Sequence, residues 1–415
     1  MTYRSLLATT ALLMCCGLVQ AQSQVLSFSL FSGNGPGGFD FNNNGLVQAI
    51  TLDAGGTTTS GPIANLYEGG AGDTTFFFDH TSGGSTFIAN DTSGSGTSGR
   101  VVNQDNTVID NINDAVGVAV DEVNGFLFYS SRDDSEIWRA PLAPDGTVGA
   151  PSLFLDSFDG ISGPTALHFT SGSRLLIGDS FSIFAVDPNN AASLTLLGDT
   201  FQSTRGLEED VANGFIYYSN DGGDEIGRIP SAGGFETILL DGSGTGETGG
   251  DPSFQDILID TVNDRLILAD FASDGFFDTD GQILSYPLDR ATGNLTSTTP
   301  AVLLDQAGLQ DPATQNAYFT GLQFVPFAVD FPLSGDFNGD GVVDAADYTV
   351  WRDNLGGDEA TLGGVGDGSG TVDQGDYDLW AANFGSAAAT ASSVPEPATA
   401  LLGVIGLLAL GRVRR

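Results

Sequence analysis

The chain has 415 residues, 58 of them glycine, and a formal charge of −40, because 53 aspartate and glutamate residues outnumber 13 basic residues, all of which are arginine. Its sulfur-containing residues, Met1, Met14, Cys15 and Cys16, all precede residue 17, which excludes disulfides, thiolate metal sites and cysteine nucleophiles from the rest of the chain. The negative charge repels phosphate backbones, so nucleic acid is excluded as a partner and cations are favoured. The abundance of glycine and aspartate favours turn-rich β structure.

Residues 1–21 have the pattern of a secretory signal peptide. An arginine precedes an apolar stretch over residues 6–19, and Ala21 closes a small-residue cleavage motif. A lipoprotein signal is the alternative, but the residue before Cys15 is Met14 rather than a small residue. We therefore expect the chain to be exported.

Residues 22–332 contain a repeated unit of short apolar strands joined by turns. The clearest copies begin near Gly117, Gly206 and Ile257, and each places an aspartate and an Asn-Gly or Asn-Asp turn between two strands. The anchor positions 79, 121, 170, 210 and 260 recur at the period of a four-stranded propeller blade. The sequence therefore predicts a mainly β, six-bladed β-propeller, with a pair of β-sandwiches as the alternative. The turns and the Phe-Tyr-Ser strands resemble those of YWTD-type and NHL-type six-bladed propellers.

The sixth blade lacks outer strands downstream of its inner strand. That inner strand fits residues 321–325, but a different motif begins at Asp336. Residues 46–53 and 63–67 have strand patterns and precede the first complete unit. We therefore predict that the ring closes through a blade shared between the two ends of the domain.

Residues 335–385 contain a duplicated motif with the spacing of calcium ligands. With Asp336 as position 1, oxygen donors occur at positions 1, 3, 5, 9 and 12, Gly341 stands at position 6, and position 7 offers a backbone carbonyl. Calcium takes about six to eight oxygen ligands, and a loop of this spacing can wrap one ion. The predicted ligands of the first loop are Asp336, Asn338, Asp340, Val342, Asp344 and Asp347.

The motif recurs 29 residues later, and each copy leads into a short helix with a tyrosine and a tryptophan. In the second copy Val365 replaces the position-1 aspartate, so this site is expected to bind calcium more weakly. The predicted ligands of the second loop are Asp367, Ser369, Thr371, Asp373 and Asp376. The paired units resemble a small α-helical dockerin type I domain, which implies that calcium orders the fold and that cohesin modules are partners. A purely structural calcium module is the reading that we favour.

Residues 386–393 form a Ser/Ala-rich linker, and residues 394–415 form a tripartite tail with a Pro-Glu-Pro motif, an apolar segment and a basic end. The fourteen apolar residues would span about 21 Å as a helix, less than the ~30 Å hydrocarbon core, so a buried helix is the alternative. The tail resembles a PEP-CTERM sorting signal. This resemblance implies a short transmembrane helix, processing by an exosortase, and a polysaccharide-rich cell surface.

Candidate catalytic side chains are few. Only His80 and His168 offer an imidazole for acid–base chemistry, and at both positions we expect a packed or tunnel-facing ring rather than a catalyst. The sequence identifies no pair of carboxylates for glycoside hydrolysis. We therefore predict an exported cell-surface or matrix protein with a non-catalytic binding propeller and a calcium module. A metal-dependent hydrolase, of lactonase or glycoside hydrolase type, and a cohesin-docking component of an enzyme assembly are the alternatives.

Overall fold

A computed structural model describes residues 24–32, 45–52, 63–69, 74–91, 98–170, 174–200, 202–220, 225–241, 254–270, 281–305, 309, 317–327, 329, 333–363, 365–366 and 369–386. The predicted signal peptide and sorting tail lie outside these ranges, as does the predicted linker apart from Ser386. Among the helices that these ranges contain, none combines the length and the apolar character that a membrane span requires.

The described strands form six antiparallel sheets arranged in a ring. The innermost strand of each sheet contacts the innermost strands of both neighbouring sheets, and these contacts close the circle. The molecule is therefore a six-bladed β-propeller, as the period of the sequence repeat predicts.

From the inner to the outer strand, the blades are as follows: blade 1, β25 (Ala317–Phe324), β1 (Gln24–Ser32), β2 (Leu46–Leu52) and β3 (Ala64–Glu68); blade 2, β4 (Thr74–His80), β5 (Thr86–Asp91), β6 (Gly99–Asn103) and β7 (Val108–Ile112); blade 3, β8 (Ala115–Asp121), β9 (Phe126–Ser131), β10 (Glu136–Pro141) and β11 (Ser152–Leu155); blade 4, β12 (Ala166–Phe169), β13 (Leu175–Gly178), β14 (Ser182–Asp187) and β15 (Asn190–Asp199); blade 5, β16 (Thr204–Asp210), β17 (Phe215–Asn220), β18 (Glu225–Pro230) and β19 (Thr237–Asp241); blade 6, β20 (Phe254–Asp260), β21 (Arg265–Asp270), β22 (Gln282–Asp289) and β24 (Ala301–Asp305), with the short β23 (Asn294–Leu295) beside the end of β22.

The repeated Asp and Asn-Gly positions form the turn between the first two strands of a blade. In blade 3, Asp121 is buried and its carboxylate accepts the backbone N–H and the side-chain amide of Asn124. Gly125 then adopts a φ of 72°, in the left-handed region that glycine enters at little cost. The same side-chain contact joins Asp210 to Asn213 and Asp260 to Asn263. The repeat visible in the sequence is therefore a repeated turn.

Six buried apolar clusters fill the spaces between neighbouring blades, one cluster for each of the six interfaces. The largest joins Leu26 and Phe28 of blade 1 to Ile267 and Ile283 of blade 6, and the others join blades 1 and 2, 2 and 3, 3 and 4, 4 and 5, and 5 and 6. Each sheet thus packs apolar side chains on both faces. This arrangement excludes the pair of sandwiches, in which a sheet buries one face only.

The ring closes through blade 1, which is shared between the two ends of the domain as predicted. β25 comes from the C-terminal side and pairs with β1, and β2 and β3 complete the blade close to the predicted outer strands 46–53 and 63–67. The sequence analysis did not assign β1, whose alternating serines suggest an exposed face. Ser27 and Ser29 are instead fully buried, because their hydroxyls reach His80 and the Phe76 carbonyl of blade 2.

The predicted anchor position of blade 2 is wrong by one residue. In blades 3, 5 and 6 the anchor aspartate pairs with the first residue of the second strand, whereas in blade 2 the corresponding residue is His80, which pairs with Thr86. Asp79 pairs with Phe87 instead. Asp79 therefore lies one residue before the turn position, and its carboxylate accepts the N–H of Val120 on β8 instead of joining an Asp–Asn turn.

After the propeller, the described residues between 333 and 386 include two short helices, α1 (Ala345–Asn354) and α2 (Gln374–Asn383), and a 3-10 helix over Glu359–Leu362. A small apolar cluster of Phe337, Leu362, Val365 and Val372 lies between the two loop–helix units. The duplicated motif therefore forms two similar units around one core.

Candidate functional site

The first calcium-type loop, residues 336–347, is organised by the carboxylate of its first residue. Asp336 is nearly buried, and its Oδ1 accepts the N–H groups of Gly339 and Asp340 while its Oδ2 accepts that of Gly341 at 2.7 Å. Gly341 has a φ of 84°, so glycine at position 6 permits the sharp turn. The backbone of the first loop thus wraps the carboxylate of its first residue.

The end of this loop is closed by a second buried carboxylate. Asp344 caps α1 by accepting the N–H of Ala346, and the fully buried Asp347 accepts the N–H groups of Asp344 and Asn338 at 2.8 and 3.0 Å. No salt bridge within the described residues reaches Asp336 or Asp347. A buried carboxylate without a cationic neighbour is costly, so hydrogen bonds or a bound cation must compensate it.

The second loop repeats this cap. Asp373 caps α2 by accepting the N–H of Gly375, and the fully buried Asp376 accepts the N–H of Asp373 at 2.8 Å. The hydroxyl of Ser369 donates to the carbonyl of Thr371. The remaining predicted ligand, Asp367, lies outside the described residues.

Hydrogen bonds from the two tryptophans join the two loop–helix units. The indole N–H of Trp351 on α1 donates to the Asp373 carbonyl at 2.7 Å, and that of Trp380 on α2 donates to the Asp344 carbonyl at 2.8 Å. The rings also lie against Tyr348 and Tyr377. Each helix is therefore hydrogen-bonded to the N-cap residue of the other helix.

The predicted calcium ligands differ in exposure. Asp336, Asp347 and Asp376 are buried, whereas Asn338, Asp340 and Val342 lie on the exposed side of the first loop. Within the described ranges, no group of three or more histidine, cysteine, aspartate or glutamate side chains is placed so that it could hold a metal ion. The calcium sites therefore stay predictions, supported by the oxygen-rich donor set and by the loop conformation.

One side chain at the second loop was missed by the sequence analysis. Glu359, on the 3-10 helix before that loop, is only 8% exposed, and its Oε2 accepts the N–H of Gly370. Gly370 is the position-6 glycine of the second loop. No loop spacing could have identified Glu359, because it precedes position 1 of the motif.

A second candidate site is formed by inner-strand side chains that face the central channel. Asp79 lies on β4, His168 on β12, Glu208 on β16 and Asp256 on β20, and all four are partly buried. Blades 2 and 5 stand opposite each other in the ring, yet the charge of Asp79 acts on Glu208. All four side chains belong to the innermost strands of their blades, which surround the axis of the ring.

The channel holds these carboxyl groups in an environment that disfavours their charge. Burial raises the pKa of Asp79 to about 7 and that of Asp256 to about 8. Burial, with repulsion from Asp256 and Asp79, raises the pKa of Glu208 well above its usual value. Burial lowers the pKa of His168 to about 4, so this ring is neutral at neutral pH, and its Nδ1 lies 3.3 Å from Oε2 of Glu208. Perturbed groups of this kind are typical of functional sites, although structural networks also produce them.

Two of the channel carboxylates also join neighbouring blades. Asp79 accepts the N–H of Val120 on β8 at 2.7 Å, and Asp256 accepts the N–H of Leu322 on β25 at 2.8 Å. For Glu208, the polar contact that the structure describes is the one with Nδ1 of His168. The arrangement therefore assigns blade-joining contacts to Asp79 and Asp256 and leaves Glu208 and His168 as the pair best placed for chemistry.

The other histidine packs within strands, as expected. His80 is buried, with Nε2 2.9 Å from the Ser27 hydroxyl and Nδ1 2.8 Å from that of Thr86, and its ring lies against Phe78 and Phe327. Burial lowers its pKa to about 3. The neutral ring therefore serves as a packed hydrogen-bonding group.

No protein-family model and no curated protein sequence matches the chain. Among solved structures, a chain in the crystal structure of a nidogen/laminin complex is similar, with 13% identity, a TM-score of 0.50, and coverage of 72% of this chain and 98% of that chain. A putative 6-phosphogluconolactonase from Bacteroides uniformis has 14% identity, a TM-score of 0.44, and coverage of 72% and 99%. A protein from Lactobacillus plantarum has 12% identity, a TM-score of 0.43, and coverage of 73% and 99%. At these identities the likeness shows the fold alone. The fold defines the class, a six-bladed β-propeller, here followed by a duplicated loop–helix module.

Proposed function

We propose that this chain is an exported cell-surface or extracellular-matrix protein, in which a non-catalytic propeller binds a partner and a dockerin-like module binds calcium. The observation that carries the proposal is the duplicated loop–helix unit, in which Asp347 and Asp376 are fully buried at equivalent positions and each tryptophan is bonded to the other loop. Calcium bound in the loops would compensate the buried carboxylates and order both units.

A binding role for the propeller, rather than a catalytic one, is supported by the structural contacts of two acidic side chains in the channel. The carboxylates of Asp79 and Asp256 accept backbone N–H groups from the next blade, so they stabilise the ring without a substrate. The formal charge of −40 favours cationic partners, or neutral ones such as polysaccharide, over anionic ones. The signal peptide and the PEP-CTERM-like tail support export, exosortase processing and membrane attachment through the C-terminal segment.

Calcium titration of the purified full-length chain by calorimetry tests the module. We expect calcium binding that is lost at the first loop in the double variant Asp336→Ala/Asp347→Ala, while Asp353→Asn, on the exposed side of α1, binds as the wild type does. An isotherm that the double variant leaves unchanged contradicts the assignment. Pull-down on cohesin modules with and without chelator separates a docking role, which requires a chelator-sensitive complex, from the purely structural role that we favour.

A hydrolase is the second candidate, because Glu208, Asp256 and Asp79 converge on the channel with raised pKa values. A protonated Glu208 beside a neutral His168 has the properties of a general acid, and the same oxygen donors suit a divalent ion. Turnover of lactone or polysaccharide substrates by the purified chain, abolished in Glu208→Gln, would establish this activity. Absence of turnover with and without added divalent ions would leave the binding role.

A further inference from the structure

The second loop lacks a carboxylate at position 1, and the residue found there cannot act as a side-chain ligand. Val365 is 9% exposed and packs in the apolar cluster with Phe337, Leu362 and Val372, while its carbonyl accepts the N–H of Gly335. Its side chain therefore belongs to the core between the units. From the sequence alone, the second site is short of one ligand and one negative charge.

Glu359 makes the contact that the position-1 aspartate makes in the first loop. There, Oδ2 of Asp336 accepts the N–H of the position-6 glycine, Gly341, at 2.7 Å. In the second loop the position-6 glycine, Gly370, donates its N–H to Oε2 of Glu359. Both carboxylates are nearly buried, at 7% and 8% exposure. A side chain from outside the motif thus makes, in the second loop, the contact that the missing aspartate would make.

Gly366 provides the space that this replacement needs. It occupies position 2, where the first loop has Phe337, and a β-carbon there would overlap Oε1 of Glu359 and lie 2.6 Å from Oδ1 of Asp376. The absence of a side chain at Gly366 therefore leaves a cradle into which two carboxylates project. Two carboxylates in one buried space repel each other unless a proton or a cation lies near both.

We propose that Glu359 supplies the position-1 carboxylate of the second calcium site, so that this loop holds an ion despite Val365. The proposal rests on the proposed calcium function of the module. Glutamate suits this role because its side chain is one methylene longer than that of aspartate and reaches the loop from the preceding 3-10 helix. The carboxylate oxygen donors of Glu359 and Asp376 are those that calcium prefers. Glu359, from outside the motif, and the two departures within it, Val365 and Gly366, then form one compensating set.

The test is the number of calcium ions that the full-length chain binds, measured by calorimetry and by counting bound calcium after equilibrium dialysis. We expect two ions for the wild type and one for Glu359→Gln, with the first-loop affinity unchanged and the second at least about tenfold weaker. The amide oxygen of glutamine can still accept the Gly370 N–H, so the substitution removes charge and little else. Asp353→Asn removes the same charge from the exposed surface of α1 and should retain both ions.

A second measurement protects the test against misfolding. The far-ultraviolet circular dichroism and the first-loop affinity of Glu359→Gln should match those of the wild type, which shows that the lost ion is not the result of an unfolded module. Gly366→Ala tests the cradle by a different route: its φ is not positive, so alanine suits the backbone, but the methyl group displaces the two carboxylates, and we expect the loss of the same ion. The proposal is overturned if Glu359→Gln keeps both ions at unchanged affinity, or if the wild type binds one ion that Asp336→Asn removes and Glu359→Gln does not. A wild type that binds no calcium would instead refute the calcium function itself.

Discussion

The channel carboxyls predict that the propeller loses stability as the pH rises, which is the reverse of the usual effect of acidic residues. The folded-state pKa of Asp79, about 7, lies above its usual value of 3.8, because burial disfavours the charged form. The folded protein therefore binds a proton at pH values where the unfolded chain has released it. Its contribution to stability is complete below about pH 4 and is lost as the pH rises through about 7.

The magnitude follows from the two pKa values. At pH values between the unfolded-state and folded-state pKa, one group lowers the free energy of unfolding by up to about 1.4 kcal/mol per pH unit. Asp79 alone therefore lowers the free energy of unfolding by about 3 kcal/mol from pH 5 to pH 8. Asp256, with a pKa of about 8, adds a loss that extends to higher pH. Asp79→Asn should abolish the part of this pH-dependent loss that is due to Asp79. It should also lower the unfolding free energy by about 1–2 kcal/mol at every pH, because one of the two backbone N–H groups that Asp79 accepts loses its acceptor.

Urea unfolding at pH 5, 6, 7 and 8 in saturating calcium measures this difference, because the calcium loops then stay in one state. The decline in unfolding free energy from pH 5 to pH 8 should be about 3 kcal/mol smaller in Asp79→Asn than in the wild type. Asp133→Asn, in an exposed turn, should show the wild-type decline. Equal declines in all three proteins would refute the channel environment that we describe.

Two further substitutions test the packing between blades. Arg290 donates hydrogen bonds to both carboxylate oxygens of the buried Asp210 at 2.8 Å, so Arg290→Gln should lower the unfolding free energy by about 2–3 kcal/mol. The control Arg352→Gln breaks an exposed ion pair and should lower it by at most about 0.5 kcal/mol. Equal effects of the two substitutions would contradict the role of Arg290 in joining the blades. Gly206→Ala should cost about 3 kcal/mol in the same assay, because its β-carbon would come within 2.6–2.8 Å of the backbone of β20, whereas Gly83→Ala meets nothing closer than 3.7 Å and should be neutral.

The parts of the fold that the sequence could predict are those that recur along the chain. Asp121 and Asn124 reveal the blade turn because the same pair occurs at 210 and 213 and at 260 and 263, and the spacing of these turns gives the blade period. The shared blade followed from counting strands. Strand β1 was not predicted, because its serines alternate with apolar residues as they would in a strand with one solvent-exposed face, whereas here they are buried and hydrogen-bonded to a neighbouring blade.

The channel acids could not be predicted for a different reason. Asp79, Glu208 and Asp256 lie one, two and four residues before the turn position of their own blades, so they share no position in the repeat. They meet only because the ring brings blades 2, 5 and 6 around one axis. An isolated acid within an apolar inner strand, as in Phe78-Asp79, was the one local signal.

The strongly acidic composition is accommodated by the fold in three separate ways. In the channel, burial keeps carboxyl groups protonated near neutral pH, as the raised pKa of Asp256 shows. Between and within blades, arginines bond buried aspartates, as Arg265 does with Asp260 at 2.8 Å. In the loop–helix module, whose described salt bridge is the exposed Arg352–Asp353 pair, the buried Asp347 accepts two backbone N–H groups, and the calcium that we propose would add a cation beside it. Each of these arrangements responds to a different condition: the first is sensitive to pH, the second to loss of an arginine, and the third, under the calcium function that we propose, to a chelator. Chelation should therefore destabilise residues 333–386 and leave the pH dependence of the propeller unchanged.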